Sequence, residues 1–141
     1  LETGAEIIAL DATPRRRPGG ETPEEILRQI REHYPDALVM GEISTLEEAE
    51  RIIPMGFDLI STTLSGYTRE SQEVKAVNLD LIRQIHAITD IPIIAEGKIR
   101  CEQEAVEALK AGAHAVVVGT SITRPEIITE RYVEAIREVE D

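Results

Sequence analysis

The stretch Ile91-Pro92-Ile93-Ile94-Ala95-Glu96-Gly97-Lys98 runs through apolar residues and stops on an acid and a glycine, and Ala115-Val116-Val117-Val118-Gly119-Thr120-Ser121 repeats the pattern further along. Short apolar runs without alternation are characteristic of strands buried on both faces of a parallel sheet. In such sheets the chemistry sits at the carboxyl ends of the strands. Two glycine-ended corners side by side there suit a bound phosphate, because their backbone amides can approach its oxygens.

Working outward, the same unit recurs. Gly4-Ala5 precedes Glu6 to Asp11, Gly56-Phe57 precedes Asp58 to Thr63, and Gly112-Ala113 precedes His114 to Gly119. Each glycine reads as the end of a helix, where a left-handed residue lets the chain turn back into the next strand. Five strands are predicted, over Glu6 to Asp11, Ala37 to Ile43, Leu59 to Leu64, Ile91 to Glu96 and Ala115 to Gly119. Helices fill the gaps. Thr22-Pro23-Glu24-Glu25 and Ser44-Thr45-Leu46-Glu47-Glu48 carry helix-start chemistry. Leu79, Ile82, Ile85 and Ile88 have helical spacing, Ala105, Val106, Ala108 and Leu109 mark a fourth apolar face, and Thr123-Arg124-Pro125-Glu126 opens a short extra helix.

The chain has 141 residues, 42% apolar and 30% charged, which predicts one soluble α/β domain over 1–141. Its formal charge of −12 argues against nucleic acid or an anionic membrane as partner. Cys101 is the single cysteine, no run has membrane length, and a reducing cytoplasm is the expected location. No His/Cys cluster has metal spacing, so no metal is expected from the sequence pattern. His33 and His86 fall on helices and His114 at the amino end of a strand, so none reads as an acid–base group.

Two polar segments leave strand carboxyl ends, as active-site loops do: Thr13 to Gly20 after the first strand and Ser65 to Val77 after the third. Of the three arginines in the first, Arg15 is the candidate substrate contact and the others read as solvated surface. An open doubly wound sheet would show a glycine-rich turn after its first strand. None is present. Every strand instead ends on a polar residue, Asp11, Glu42, Thr63, Glu96 and Thr120, which is the strand-end ring of a (β/α)8 barrel.

Ile8-Ala9-Leu10-Asp11-Ala12-Thr13, Ser44 to Ala49, Thr62-Thr63-Leu64-Ser65-Gly66-Tyr67-Thr68, Ile94-Ala95-Glu96-Gly97-Lys98-Ile99 and Val116 to Pro125 together resemble the N-acetylmannosamine-6-phosphate 2-epimerase family. The likeness runs essentially end to end. It implies a partial (β/α)8 barrel, with the strands here corresponding to barrel strands 4–8. It also implies inversion at C2 of a phosphorylated N-acetyl amino sugar during sialic acid breakdown, with no cofactor. Removing a proton beside a carbonyl requires an acid–base group at C2 and donors that steady the developing oxyanion.

By that resemblance Glu96 takes the place of the family's catalytic glutamate, and its apolar neighbours predict partial burial. Gly97, Lys98, Gly119 and Thr120 match the phosphate-binding loops, and Arg124 matches an arginine contacting substrate or phosphate. Asp11 matches a sugar-orienting acid. Glu42 stands where the family usually has aspartate, which shifts a carboxylate by roughly one bond length, on the order of 1 Å. Thr62 and Thr63 face opposite ways, and Thr63 is expected to point inward.

Length is the main departure. A full barrel needs roughly 250 residues, and Leu1 to Gly4 reads as the tail of a preceding helix. Three βα units are then outside this chain, and with them the lysine that moves the C2 proton in the family. Lys75, Lys98 and Lys110 do not match it. Five strands alone expose two edges, so association with copies of itself or with the missing strands is expected. A phosphosugar-binding or assembly module without turnover is the alternative.

Overall fold

The computed structural model describes residues 4–139. Strands β1 (Ile7–Asp11), β2 (Leu38–Glu42), β3 (Leu59–Ser61), β4 (Ile93–Glu96) and β5 (Ala115–Val117) alternate with helices α1 (Pro23–His33), α2 (Leu46–Ile52), α3 (Leu79–His86) and α4 (Glu102–Lys110). After β5 come α5 (Thr120–Thr123) and α6 (Pro125–Arg137). All strands are parallel and lie side by side in chain order, β1-β2-β3-β4-β5. An order that never reverses has no switch point of the kind found in a doubly wound sheet. It is the order a barrel requires. The helix tail expected over Leu1 to Gly4 falls, apart from Gly4, outside the described residues.

The start signals act as the sequence predicts. Thr22 Oγ1 accepts from Glu25 N–H at 3.2 Å while the Glu25 carboxylate accepts from Thr22 N–H at 2.8 Å, with Pro23 opening α1. Thr45 and Glu48 form the same reciprocal cap on α2. Such boxes satisfy amide donors that a helix start would otherwise leave unpaired. Gly56 and Gly112 end their helices at φ +90° and +112°, a region that disfavours a side chain.

Register separates the sheet into two faces. Ile8 and Leu10, Val39 and Gly41, Ile60, Ile93 and Ala95, and Val116 share one face, and Leu10, Val39, Ile60, Ile93, Ala95 and Val116 pack with Leu27, Ile52, Leu81, Ile82 and Ile85 from the helices. Val39 and Ile60 are fully buried there. Their neighbours Ile7, Leu38 and Val117 point the other way and stay 44%, 44% and 41% exposed. Along that open face the strands end on Asp11, Glu42, Ser61 and Glu96.

Several boundaries differ from the sequence reading. β3 stops at Ser61 because the Thr62 hydroxyl, buried, pairs with both Glu96 N–H (3.1 Å) and Glu96 O (2.9 Å), turning the chain out of the strand. β5, with an open edge, ends at Val117 rather than Gly119. Ile88 lies beyond α3 and is exposed, since Ala87 already closes the helix. Val106 and Leu109 are 45% and 49% exposed, so α4 packs only through Ala105 and Ala108. The extra helix is not short: α6 has 13 residues, and the short piece is α5 before it.

Candidate active site

The carboxyl ends of β1 to β4 bring together the acids that the sequence singled out. Asp11 is the most constrained. Its Oδ1 accepts from Thr13 N–H (2.9 Å) and Thr13 Oγ1 (2.7 Å), and its Oδ2 pairs with Arg15 at 2.5 Å. Burial pushes its pKa up, but the Thr13 and Arg15 bonds and the Arg15 charge outweigh it and hold the carboxyl below its ordinary value. Arg15 is thus engaged by Asp11 and Thr13, with half its side chain open. Arg17, read as solvated, is instead tucked in and donates to the Asp11 and Thr13 carbonyl oxygens.

Glu42 lies opposite Asp11 in the β1–β2 register and is half-buried. Burial raises its pKa above the ordinary value. The Thr63 hydroxyl opposes this, and the charges of Glu96 and Asp11 reinforce it. Thr63 is the hinge of the cluster: its hydroxyl is 3.1 Å from Glu96 Oε2 and 2.6 Å from Ser61 Oγ. Thr62, pointing the opposite way, spends its hydroxyl on the Glu96 backbone. The alternation read from the sequence therefore persists past the end of β3.

Beyond Glu96 the chain takes two left-handed residues in succession, Gly97 at φ +99° and Lys98 at φ +60°. A Cβ at Gly97 would press on Thr63 O at 3.3 Å, so the corner and the Thr63 turn fit only with glycine there. The corner forms one wall of a cleft of about 370 Å³, with Thr63, Glu96, Gly97 and Lys98 on one side and Gly119, Thr120 and Ser121 on the other. The Lys98 ammonium lies 3.9 Å from the centroid of the Tyr67 ring. Burial lowers its pKa from the ordinary value, with Lys75 and Arg100 adding repulsion.

Asp11, Arg15 and Glu42 are outside the walls of this cleft, along the same row of strand ends. Arg124 is also outside it, exposed and paired with Glu126 at 2.8 Å. Among the cleft residues that sequence reasoning missed are Tyr67, Arg100 and Arg131. Arg131 donates to Arg100 O at 3.2 Å. The signal for it was the i, i+4 pairing of Ile127 with Arg131 on one face of α6, visible only if that helix is read as long. Among the described residues no group of His, Cys, Asp and Glu could hold a metal ion, and no helix is long and apolar enough to cross a membrane.

Acids at the ends of adjacent strands beside a lysine- and glycine-lined cleft do not by themselves name a reaction, and comparison with known proteins gives the family. The family model described as putative N-acetylmannosamine-6-phosphate epimerase matches residues 1–138. The chain belongs to that family. The protein of Caldanaerobacter subterraneus named putative N-acetylmannosamine-6-phosphate 2-epimerase is 53% identical over 138 residues, covering 98% of this chain and 58% of its own length. The same-named protein of Enterobacter is 47% identical, over 96% of this chain and 59% of its own. The solved N-acetylmannosamine-6-phosphate 2-epimerase of Clostridium perfringens superposes with a TM-score of 0.88 at 43% identity, over 95% of this chain and 58% of that one. This epimerase-family chain thus spans somewhat under three fifths of the length of the curated relatives it matches. A thiamine phosphate pyrophosphorylase from Pyrococcus furiosus shares the fold at 24% identity and a TM-score of 0.62.

Proposed function

We propose that residues 1–141 form one unit corresponding to strands four to eight of a (β/α)8 barrel that interconverts N-acetylmannosamine 6-phosphate and N-acetylglucosamine 6-phosphate. The observation that carries this is the Thr63–Glu96 contact at 3.1 Å on the rim of the Gly97–Lys98 cleft. It puts a carboxylate within a side chain's length of an anion-binding corner, as a substrate with a phosphate at one end and a reacting C2 at the other demands.

In this reading the phosphate sits against Gly97, Lys98, Gly119 and Thr120, with Arg124 reaching it from α6 once its bond to Glu126 yields. Glu96 acts at C2. Asp11, fixed as a carboxylate by Thr13 and Arg15, orients a sugar hydroxyl. Glu42, whose pKa is raised, holds its proton more readily and so can donate to the oxygen that gains charge when C2 loses its proton. By the family resemblance the second proton carrier is a lysine in the part of the relatives that this chain does not cover; Lys75, Lys98 and Lys110 do not match it. The same observation supports the second reading, a chain that binds the sugar phosphate without turning it over.

Incubation with N-acetylglucosamine 6-phosphate in deuterated water separates these readings. The epimerase reading predicts deuterium at C2 when the chain is mixed with a polypeptide carrying the amino-terminal two fifths of a relative. It also predicts loss of about 100-fold or more of that exchange in Glu96→Gln. Binding with no exchange in the mixture would establish the module instead.

A further inference from the structure

Behind the cleft lies a buried polar chain that the chemistry above does not use. Glu48 is 7% exposed, and its Oε2 accepts from Ser44 N–H (2.7 Å), Ser44 Oγ (2.8 Å) and Thr45 N–H (3.2 Å). Since Ser44 Oγ spends its proton on Glu48, it accepts from Thr68 Oγ1 at 2.8 Å. Thr68 Oγ1 in turn accepts from Ser71 Oγ at 2.8 Å, and Ser71 Oγ accepts from Gly66 N–H at 2.8 Å. The chain thus runs from Gly66 N–H through Ser71, Thr68 and Ser44 to the Glu48 carboxylate, with Leu64 O a second, longer acceptor for Ser71 Oγ at 3.4 Å. Ser44, Thr68 and Ser71 are all buried. Hydrogen bonds aligned head to tail onto a charged terminus polarise one another and strengthen the whole.

What this chain holds is the seat of Lys98. Gly66 has φ +80°, and a Cβ there would run into Lys98 Cε and the Val74 carbonyl oxygen, so the lysine stem lies directly on the Gly66 backbone. The next residue, Tyr67, carries the Lys98 ammonium over its ring. Lys98 is itself in a left-handed conformation that a non-glycine residue adopts only when its surroundings impose it.

We propose that Glu48, a residue of α2 that does not line the cleft, is a positioning residue for it. Through Ser44, Thr68 and Ser71 it fixes Gly66 and Tyr67 and thereby sets Lys98 where an anion meets it. The use of that anion as a sugar phosphate rests on the reading above; the seating of Lys98 does not.

The test uses the whole chain, with the lysine Cε and Hε resonances observed by NMR and inorganic phosphate as probe. In the unsubstituted chain the Tyr67 ring is expected to shift the Lys98 Hε signals upfield. Glu48→Ala and Ser71→Ala, cutting the relay at its two ends, are expected to erase most of that shift, as Tyr67→Leu does directly. They are also expected to weaken phosphate binding about fivefold, the value of a cation–π contact expressed as a ratio. Glu48→Gln, which keeps an acceptor in place, is expected to retain most of both. If Glu48→Ala does not fold, Ser71→Ala and Glu48→Gln carry the test. A purely structural Glu48 would lower the melting temperature and leave the Lys98 shift unchanged, and that result overturns the proposal. If phosphate fails to bind even the unsubstituted chain while the shift still depends on Glu48, the seating stands and the phosphate reading falls.

Discussion

The two faces of the sheet are built by the same strands and do opposite work. On the helix-covered face Val39, Ile60, Ile93 and Ala95 are buried to 1% or less and form the core with α1 to α3. On the other, Ile7, Leu38 and Val117 are open by two fifths or more, and only the carboxyl ends are organised, by Thr13, Arg15, Thr63 and the Gly97 corner. Packing therefore resides on one face, and the clustered acids and glycine corners lie at one end of the other. A residue's place in the period-2 alternation decides which it serves.

Ile60→Ala gives the sharpest contrast. Deleting a fully buried isoleucine is expected to cost about 3 kcal/mol and to lower the melting temperature by about 10 °C, whereas Leu38→Ala is expected to cost less than about 1 kcal/mol. Chemical denaturation of both variants measures the difference. Equal costs would mean that the open face is covered in solution, and sedimentation would then identify a second copy or show its absence.

A smaller effect belongs to the amino ends of the strands. Asp58 accepts from Val39 N–H at 2.7 Å and pairs with Arg31 at 2.5 Å. Burial opposes its ionisation, but the Arg31 and Val39 bonds prevail and its pKa is lowered from the ordinary 3.8. A lowered pKa contributes stability that is present above 3.8 and lost as pH falls through the folded value. Asp58→Asn is expected to cost about 1 kcal/mol at pH 7 and less at pH 3. Urea midpoints at the two pH values check it.

Glu42 has the opposite sign. Its pKa is raised, by burial first and then by its acidic neighbours, so its favourable contribution is complete below the ordinary 4.5 and is lost as pH rises through the folded value. At pH 7 it opposes folding. Glu42→Gln is accordingly expected to raise the melting temperature by about 2 °C at pH 7 and by nothing at pH 4. A fall at pH 7 would mean that Glu42 is held by a partner rather than repelled by Asp11 and Glu96. The comparison sharpens here: the acid at the amino ends anchors, and the acid at the carboxyl ends is kept under tension.

Much of this was legible in the sequence. The five strands, their parallel order, the caps at Thr22 and Thr45 and the acids at the strand ends all follow from local chemistry, because apolar period and capping act over a few residues. The open face was legible only as the expectation that five strands alone do not close a ring. What the sequence hid depends on tertiary placement. Thr62 ends β3 early by bonding across to Glu96, Arg17 folds back on the carbonyl of Asp11, and Val106 and Leu109 remain exposed although their spacing marks a packed face. Arg131 was missed because the helix opened by Pro125 was read as short, and Tyr67 because the direction its ring takes toward Lys98 within the expected loop has no local signal.

The proposed reactive end is the carboxyl rim of the open face, with Glu96 beside the Gly97 and Gly119 corners. Amide chemical shifts during titration with N-acetylglucosamine 6-phosphate test it most directly. Gly97, Lys98, Gly119 and Thr120 are expected to move together and saturate with Thr63 and Glu96, while Val39, Ile60 and Asp58 stay still. Saturable shifts confined to α1, α6 or the amino ends of the strands would contradict it.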